Sequence, residues 1–348
     1  MKSSPRPQAL TVVVGAGGVG KTTIAAALGL RAAEAGRDAL VMTFDPARRL
    51  KDALGVGDSA NDREATVPGA GPGVLRASLL DPGRTFDRLV ERYAPDAAAR
   101  DRILGNRFYA HLAGSLAGIL EYMAVERLLE VADEGRYDGI VLDTPPTRQA
   151  LDFLEAPERI VSFLDSGALR VALKPWFRAD GRLRATSRLG PLGRGAERFL
   201  DDLVGLGLLR DMAEFFQAFA PLYDGFRDRA LAVQRLLRAP QTQFVLVAGA
   251  APERVADTLF FARKLAEAGH RLGAVVINQV HPRLERLGSE VSPGRRLFAW
   301  LGERDAVGVA QLKGLLAGHA RLATVPMLAT EPTDLAALRR LAAALPPI

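Results

Sequence analysis

Nine residues near the amino terminus could hold a phosphate chain. Gly15-Ala16-Gly17-Gly18-Val19-Gly20-Lys21-Thr22-Thr23 fits the spacing G-x-x-x-x-G-K-[ST]. Glycines at these intervals let successive backbone N–H groups turn toward one anion, and a helix starting there adds the partial positive charge of its N-terminus. Lys21 is placed to reach β- and γ-phosphates, and the Thr22 hydroxyl to ligate magnesium. The flanks agree with that reading. Leu10–Val14 reads as a buried strand, and Thr22–Ala35, rich in alanine and leucine, as the helix that follows. A nucleotide-binding protein is expected.

Two carboxylates stand where such a site would use them. Asp45, in Thr43-Phe44-Asp45-Pro46-Ala47, directly follows an apolar run at Ala39–Phe44. At that end of a sheet it can orient a lytic water, or it can cap the turn beginning at Pro46. Asp143 ends the apolar run Gly139–Leu142, the position of a residue that holds magnesium through water, although an Asp ending a strand also serves as a helix cap. Thr144-Pro145-Pro146-Thr147 then makes a stiff loop suited to sensing a γ-phosphate. The four histidines, His111, His270, His281 and His319, lack metal-ligand spacing, and no aromatic-interleaved basic patch suggests nucleic acid.

The elements that must position these residues alternate along the chain. Short apolar runs recur at Leu10–Val14, Ala39–Phe44, Val74–Leu79, Gly139–Leu142, Phe244–Ala248, Ala274–Ile277 and Leu322–Val325. They lack alternation, as strands covered on both faces do, and helices after Pro252 and Thr333 continue the rhythm. The expected fold is α/β, a doubly wound, mostly parallel sheet whose ligand sits beyond the carboxyl ends of the strands. From about Asp81 to Pro240 the rhythm breaks into helical patterns: Phe108–Val131 carries apolar residues at helical spacing, and Met212, Phe215, Phe216, Phe219, Leu222 and Tyr223 form a stripe. The stripe reads as core or as a groove for an apolar partner segment. The expected organisation is a nucleotide-binding core from 1–80 and 241–348 plus 137–150, with 81–136 and 151–240 as an inserted α-helical subdomain.

Composition bounds the rest. The 348 residues include no cysteine, which removes thiolate zinc and thiol-based metalloid sites. Met1–Pro7 has no apolar signal region, and no run approaches the ~20 apolar residues of a membrane span, so a cytoplasmic location is expected. The net charge of +6 is concentrated between Lys174 and Arg198, where seven basic residues face Asp180 and Glu197. This segment is a solvated basic loop or a contact for an anionic surface.

Four blocks in order then carry a resemblance. Gly15–Thr23, Phe44–Leu50, Asp143–Thr147, and the late pair Asn278-Gln279 with Val325-Pro326 resemble the family of the arsenite-pump ATPase and the ATPase that targets tail-anchored membrane proteins. The likeness extends from about Ala9 to Leu341, with further similarity at Arg84–Asp87 and Asn106–Leu128. It implies a P-loop NTPase fold, ATP and Mg²⁺ as cofactors, and a switch in which Asp45 positions the water while Lys21 serves catalysis. It also implies that Asn278 reads adenine, with Gln279, Pro326 and Met327 beside it. The family works as dimers or pseudodimers, implying a homodimer or a heterodimer with a homologous ATPase, and an apolar client segment or membrane protein as partner. The family's loop carries a lysine where Ala16 stands, and that lysine crosses to the other subunit's nucleotide. A trans contribution of this kind is worth ~10³ or more in rate. Its absence implies slow turnover, a lysine-bearing partner, or replacement by a nearby arginine, for which Arg48 and Arg49 are the candidates.

Overall fold

A computed structural model describes residues 9–43, 49–56, 64–107, 109, 119–144, 154–162, 211, 214–215, 218–284 and 292–345. Eight strands form one sheet: β1 (Ala9–Gly15), β2 (Ala39–Thr43), β3 (Ala65–Thr66), β4 (Leu75–Leu79), β5 (Gly139–Asp143), β6 (Thr242–Gly249), β7 (Leu272–Val280) and β8 (Arg321–Pro326). Their order is β3-β4-β2-β5-β1-β6-β7-β8, and every neighbouring pair is parallel except β3 with β4. The fold is therefore α/β with a mostly parallel sheet. Val12, Val13, Val14, Leu40, Val41 and Met42 are fully buried, which is why these strands read as unbroken apolar runs.

Helices of the nucleotide-loop region pack on the sheet. α1 (Lys21–Glu34) lies so close to β2 that a Cβ on Gly29 would stand 2.2 Å from Val41 Cγ2. Its outer side is buried by α9 (Leu335–Ala343), whose Leu338 and Leu341 share a cluster with Ile24, Leu28 and Leu30. Asp334 starts α9 as an N-cap, accepting from the Ala337 N–H at 2.7 Å. Between them in the chain come α2 (Arg49–Leu54), α3 (Pro82–Tyr93), α4 (Ala97–Leu104), α5 (Ile119–Glu134), α6 (Tyr223–Arg238), α7 (Val255–Glu267) and α8 (Pro293–Leu316).

Sheet order places the site. β5 is inserted between β2 and β1, so Asp143 at its carboxyl end stands opposite Thr43 on one side and Val13 on the other. The phosphate loop leaves β1 at the same edge.

Several expectations need correction. α8, 24 residues long, was absent from the sequence reading. Its inward side carries Gly302, Asp305 and Gly308 before Leu312 and Leu316, while Leu297, Phe298 and Trp300 of its first half are exposed, so its apolar residues do not mark the side that packs. The two-residue antiparallel β3 was also not expected; two residues carry no alternation to read. β6 and β7 extend beyond their apolar centres because strand pairing continues through Thr242, Gln243 and Asn278. α5 ends at Glu134 rather than Val131, and residues 108 and 110–118 of the expected long helix lie outside the described residues.

By contacts the chain divides into two compact units: Met1–Asp81, Glu130–Leu151 and Arg235–Ile348 form the first, Pro82–Leu129 and Asp152–Gln234 the second. The first holds the sheet. In the second, an aromatic cluster provides the core: Phe86 meets Tyr109 at 5.1 Å, and Phe219 meets Phe226 edge-on at 4.8 Å. Phe215 stacks on Phe219 at 5.4 Å, while Met212 and Phe216 of the same stripe lie outside the described residues. Beside this cluster the buried Glu126 accepts from Arg229 and from the Tyr122 hydroxyl, and Arg229 also donates to the Tyr93 hydroxyl at 3.0 Å. Among the described residues no helix is long and apolar enough to cross a membrane.

Candidate functional site

The loop between β1 and α1 is built by glycine geometry. Gly18 and Gly20 take left-handed φ values of 77° and 88°, which a residue with a Cβ adopts at a cost of about 1–2 kcal/mol. At Gly20 space forbids a side chain as well, because its Cβ would stand 2.4 Å from Asn278 Nδ2. The Asn278 amide is there because it donates to Val19 O at 2.8 Å, fastening the loop to the end of β7. Gly17 and Gly18 are exposed, Val19 is buried, and Thr22 and Thr23 are half-buried in the first turn of α1. The Lys21 ammonium donates to Ala16 O at 3.0 Å, folding over the loop whose start and end it spans.

Asp143 collects the hydroxyls around it. Thr22 Oγ1 donates to its Oδ2 at 2.7 Å and Thr43 Oγ1 to the same oxygen at 2.8 Å, and the carboxylate is 1% exposed. The next residue is fixed too: Thr144 donates to Val13 O from its hydroxyl at 2.8 Å. One carboxylate thus ties the first turn of α1 to the carboxyl ends of β2 and β5. A hydroxyl and a carboxylate in mutual contact beside a phosphate loop are hard oxygen donors of the kind magnesium takes alongside substrate phosphates. Thr22 and Asp143 are the described residues that would hold a magnesium ion here, and among the described residues no group of three or more His, Asp or Glu could hold a metal ion. The residues fit such an ion.

The remaining sequence-derived candidates divide. Asp45, with Phe44 and Pro46–Arg48, lies outside the described residues, as do Pro145–Thr147 and the basic segment 174–198. Asn278 is buried against the loop, while Gln279 is exposed and holds a left-handed φ of 58°, a conformation uncommon without glycine. Pro326 pairs with Val280, and the Met327 N–H donates to Val280 O at 2.9 Å, so Asn278-Gln279 and Pro326-Met327 leave adjacent strands together. The described contacts of Pro326 and Met327 are with β7, whereas those of Asn278 reach the loop itself.

Several partners of the site escaped the sequence reading. Thr43 and Thr144 are single threonines at strand ends, and only strand order reveals that they converge. Two residues beyond Gln279, His281 bonds the buried Asp305 of α8: its ring Nδ1 lies 2.7 Å from Oδ2, and its main-chain N–H donates to the same oxygen at 3.1 Å. Burial pushes the Asp305 carboxyl up, but hydrogen bonds from His281 and Arg304 outweigh it and hold the group below the usual carboxylate range.

The chain is 28% identical to Protein Rv2184c of Mycobacterium tuberculosis over 94% of its length and 73% of that protein. It is 28% identical to an ATPase GET3 of Zygosaccharomyces rouxii over 61% of its length and 65% of that protein, and 34% identical to an ATPase get3 of Aspergillus terreus over 42% of each. It thus spans less than two thirds of either fungal relative. A sequence model of the anion-transporting ATPases matches residues 9–185, from β1 and the phosphate loop through Asp143. On that match the chain belongs to the anion-transporting ATPase family.

Proposed function

We propose that the chain is a magnesium-dependent ATPase whose nucleotide state switches a dimer and its helical segments, for handling a client or regulating a partner. The observation that carries the reading is the Thr22–Asp143 contact beside a loop crossed by Lys21, all at the carboxyl edge of a parallel sheet. Lys21 would exchange Ala16 O for β- and γ-phosphate oxygens. Thr22 and Asp143 would hold magnesium, which supplies charge neutralisation on the phosphates when bound. Asn278 and Gln279, with Pro326 and Met327, would line the base. Asp45 would orient the water that attacks the γ-phosphate, giving ADP and phosphate. Thr43, next to the Asp45 block in sequence and bonded to Asp143, would link the metal-holding carboxylate to that block; hydrolysis would release the blocks held at Asp45 and Asp143.

Family membership supports ATPase chemistry in general. The dimer, a client with an apolar segment, contact with an anionic surface through 174–198 and a cytoplasmic location are part of the proposal. Ala16 favours a second reading: with an alanine where the resembling family has lysine, the chain would be a low-activity subunit paired with a lysine-bearing homologue. ATP turnover by the purified chain, with and without such a homologue, tests both readings. The first expects magnesium-dependent turnover that Asp45→Asn arrests with ATP bound. Turnover seen only with the homologue supports the second, and none under either condition removes both.

A further inference from the structure

The turn after β6 is held from outside and presents a cation to the loop. On α8, a Cβ at Gly308 would stand 2.1 Å from Ala250 O and 2.9 Å from Pro252 N, so helix and turn touch backbone to backbone. The turn ends at Arg254, whose main chain is committed: its N–H donates to Ala251 O at 2.9 Å and its carbonyl accepts from the Thr258 hydroxyl at 2.9 Å. Its side chain is not committed. Arg254 is exposed, and no described carboxylate forms an ion pair with it, although Asp257 is three residues on. Its stem runs beside Gly249, with Cγ 3.4 Å from where a Cβ there would be, and Val19 of the phosphate loop flanks the same point at 3.9 Å. Ala16, Arg254 and Asp257 line one cavity of about 10 Å³, room for a single water at most. Arg254 therefore packs close to the start of the loop.

A triphosphate on this loop brings several negative charges, and the loop's own cation is Lys21 alone. At Ala16 it offers a methyl group. We infer that Arg254 is a phosphate-binding residue, its guanidinium supplying with Lys21 the positive charge for the terminal phosphates of the bound nucleotide. The inference rests on the nucleotide-binding reading above. It stands beside the sequence candidates Arg48, which lies outside the described residues, and Arg49, which opens α2. Guanidinium is suited to the task because its planar fork meets two phosphate oxygens at once.

The test compares ATP, ADP and adenosine binding, by calorimetry with magnesium, for the full chain and for Arg254→Ala, Arg254→Lys and Lys21→Ala, alongside ATP turnover and thermal midpoints without nucleotide. Arg254→Ala should weaken ATP roughly 10- to 100-fold, the range of a charge-assisted hydrogen bond, with a smaller loss for ADP and none for adenosine. Its thermal midpoint should stay at the wild-type value, and Arg254→Lys should recover part of the loss. Wild-type ATP affinity in Arg254→Ala, with Lys21→Ala impaired, overturns the inference and leaves the nucleotide reading standing. Equal losses for all three ligands with a lowered midpoint assign Arg254 a structural role and also overturn it. Failure of the wild-type chain to bind nucleotide removes the underlying reading, and this inference with it.

Discussion

Thr22 and Asp143, 121 residues apart in sequence, are joined by a hydrogen bond of 2.7 Å from the threonine hydroxyl to the carboxylate. The bond exists because β5 inserts between β2 and β1, bringing its last residue to the start of α1. If these two groups hold the metal, Asp143→Asn should remove the magnesium-dependent part of ATP affinity while leaving affinity in EDTA at its wild-type value. Titrating ATP with and without magnesium checks this. A variant as magnesium-dependent as the wild type would exclude Asp143 from the metal site.

Gly18 and Gly20 separate backbone strain from crowding. A Cβ at Gly18 meets nothing within 4 Å, so Gly18→Ala should cost only the left-handed backbone penalty of about 1–2 kcal/mol. Gly20→Ala incurs the same strain and also drives Asn278 off Val19 O. It should unfold at a lower denaturant concentration than Gly18→Ala and lose nucleotide affinity more severely. Equal midpoints for the two variants would mean that Asn278 does not brace the loop.

Asp305 predicts an acid-side effect. Its carboxyl is held below the ordinary value, so the stability it contributes is complete above the unfolded pKa of about 3.9 and disappears as the pH falls through the folded value. Asp305→Asn keeps the shape without the charge. The gap in unfolding free energy between wild type and variant should therefore narrow as the pH is lowered from about 6 to about 3. A gap that is constant over this range would show that the charge contributes nothing.

The second unit has its own test in Glu126. This carboxylate is 1% exposed and bonded to Arg229, so Glu126→Ala leaves a half-buried guanidinium without its counter-charge, at up to about 3–5 kcal/mol. Replacing both by apolar residues, Glu126→Leu with Arg229→Met, should restore most of the loss. Hydrogen exchange at Tyr122–Leu128 reads the local effect. If the single variant exchanges there as slowly as the wild type, the pair contributes no stability.

What the sequence disclosed, and what it hid, follows from where each signal resides. Gly15–Thr23 reports its own geometry because strand, turn and helix are consecutive, and Gly139–Asp143 reads as a strand ending in an acid for the same reason. Thr43 converging on Asp143 depends on β5 lying beside β2, which no local pattern encodes. α8 stayed hidden because glycines, rather than large apolar residues, face the turns after β6 and β7: Gly302 lies against Pro282 O and Gly308 against Ala250 O. The Asp305–His281 bond and the approach of Arg254 to the loop follow from that packing, so they stayed hidden with it.

The central claim is that Lys21 grips a nucleotide on the loop after β1. Calorimetric titration of ATP into the purified chain and into Lys21→Ala, each with magnesium, measures it most directly. The account predicts saturable one-site binding by the wild type and a loss of affinity of roughly 10- to 100-fold in the variant, the scale of a charge-assisted phosphate contact. Indistinguishable affinities, or no heat of binding in the wild type, would contradict it.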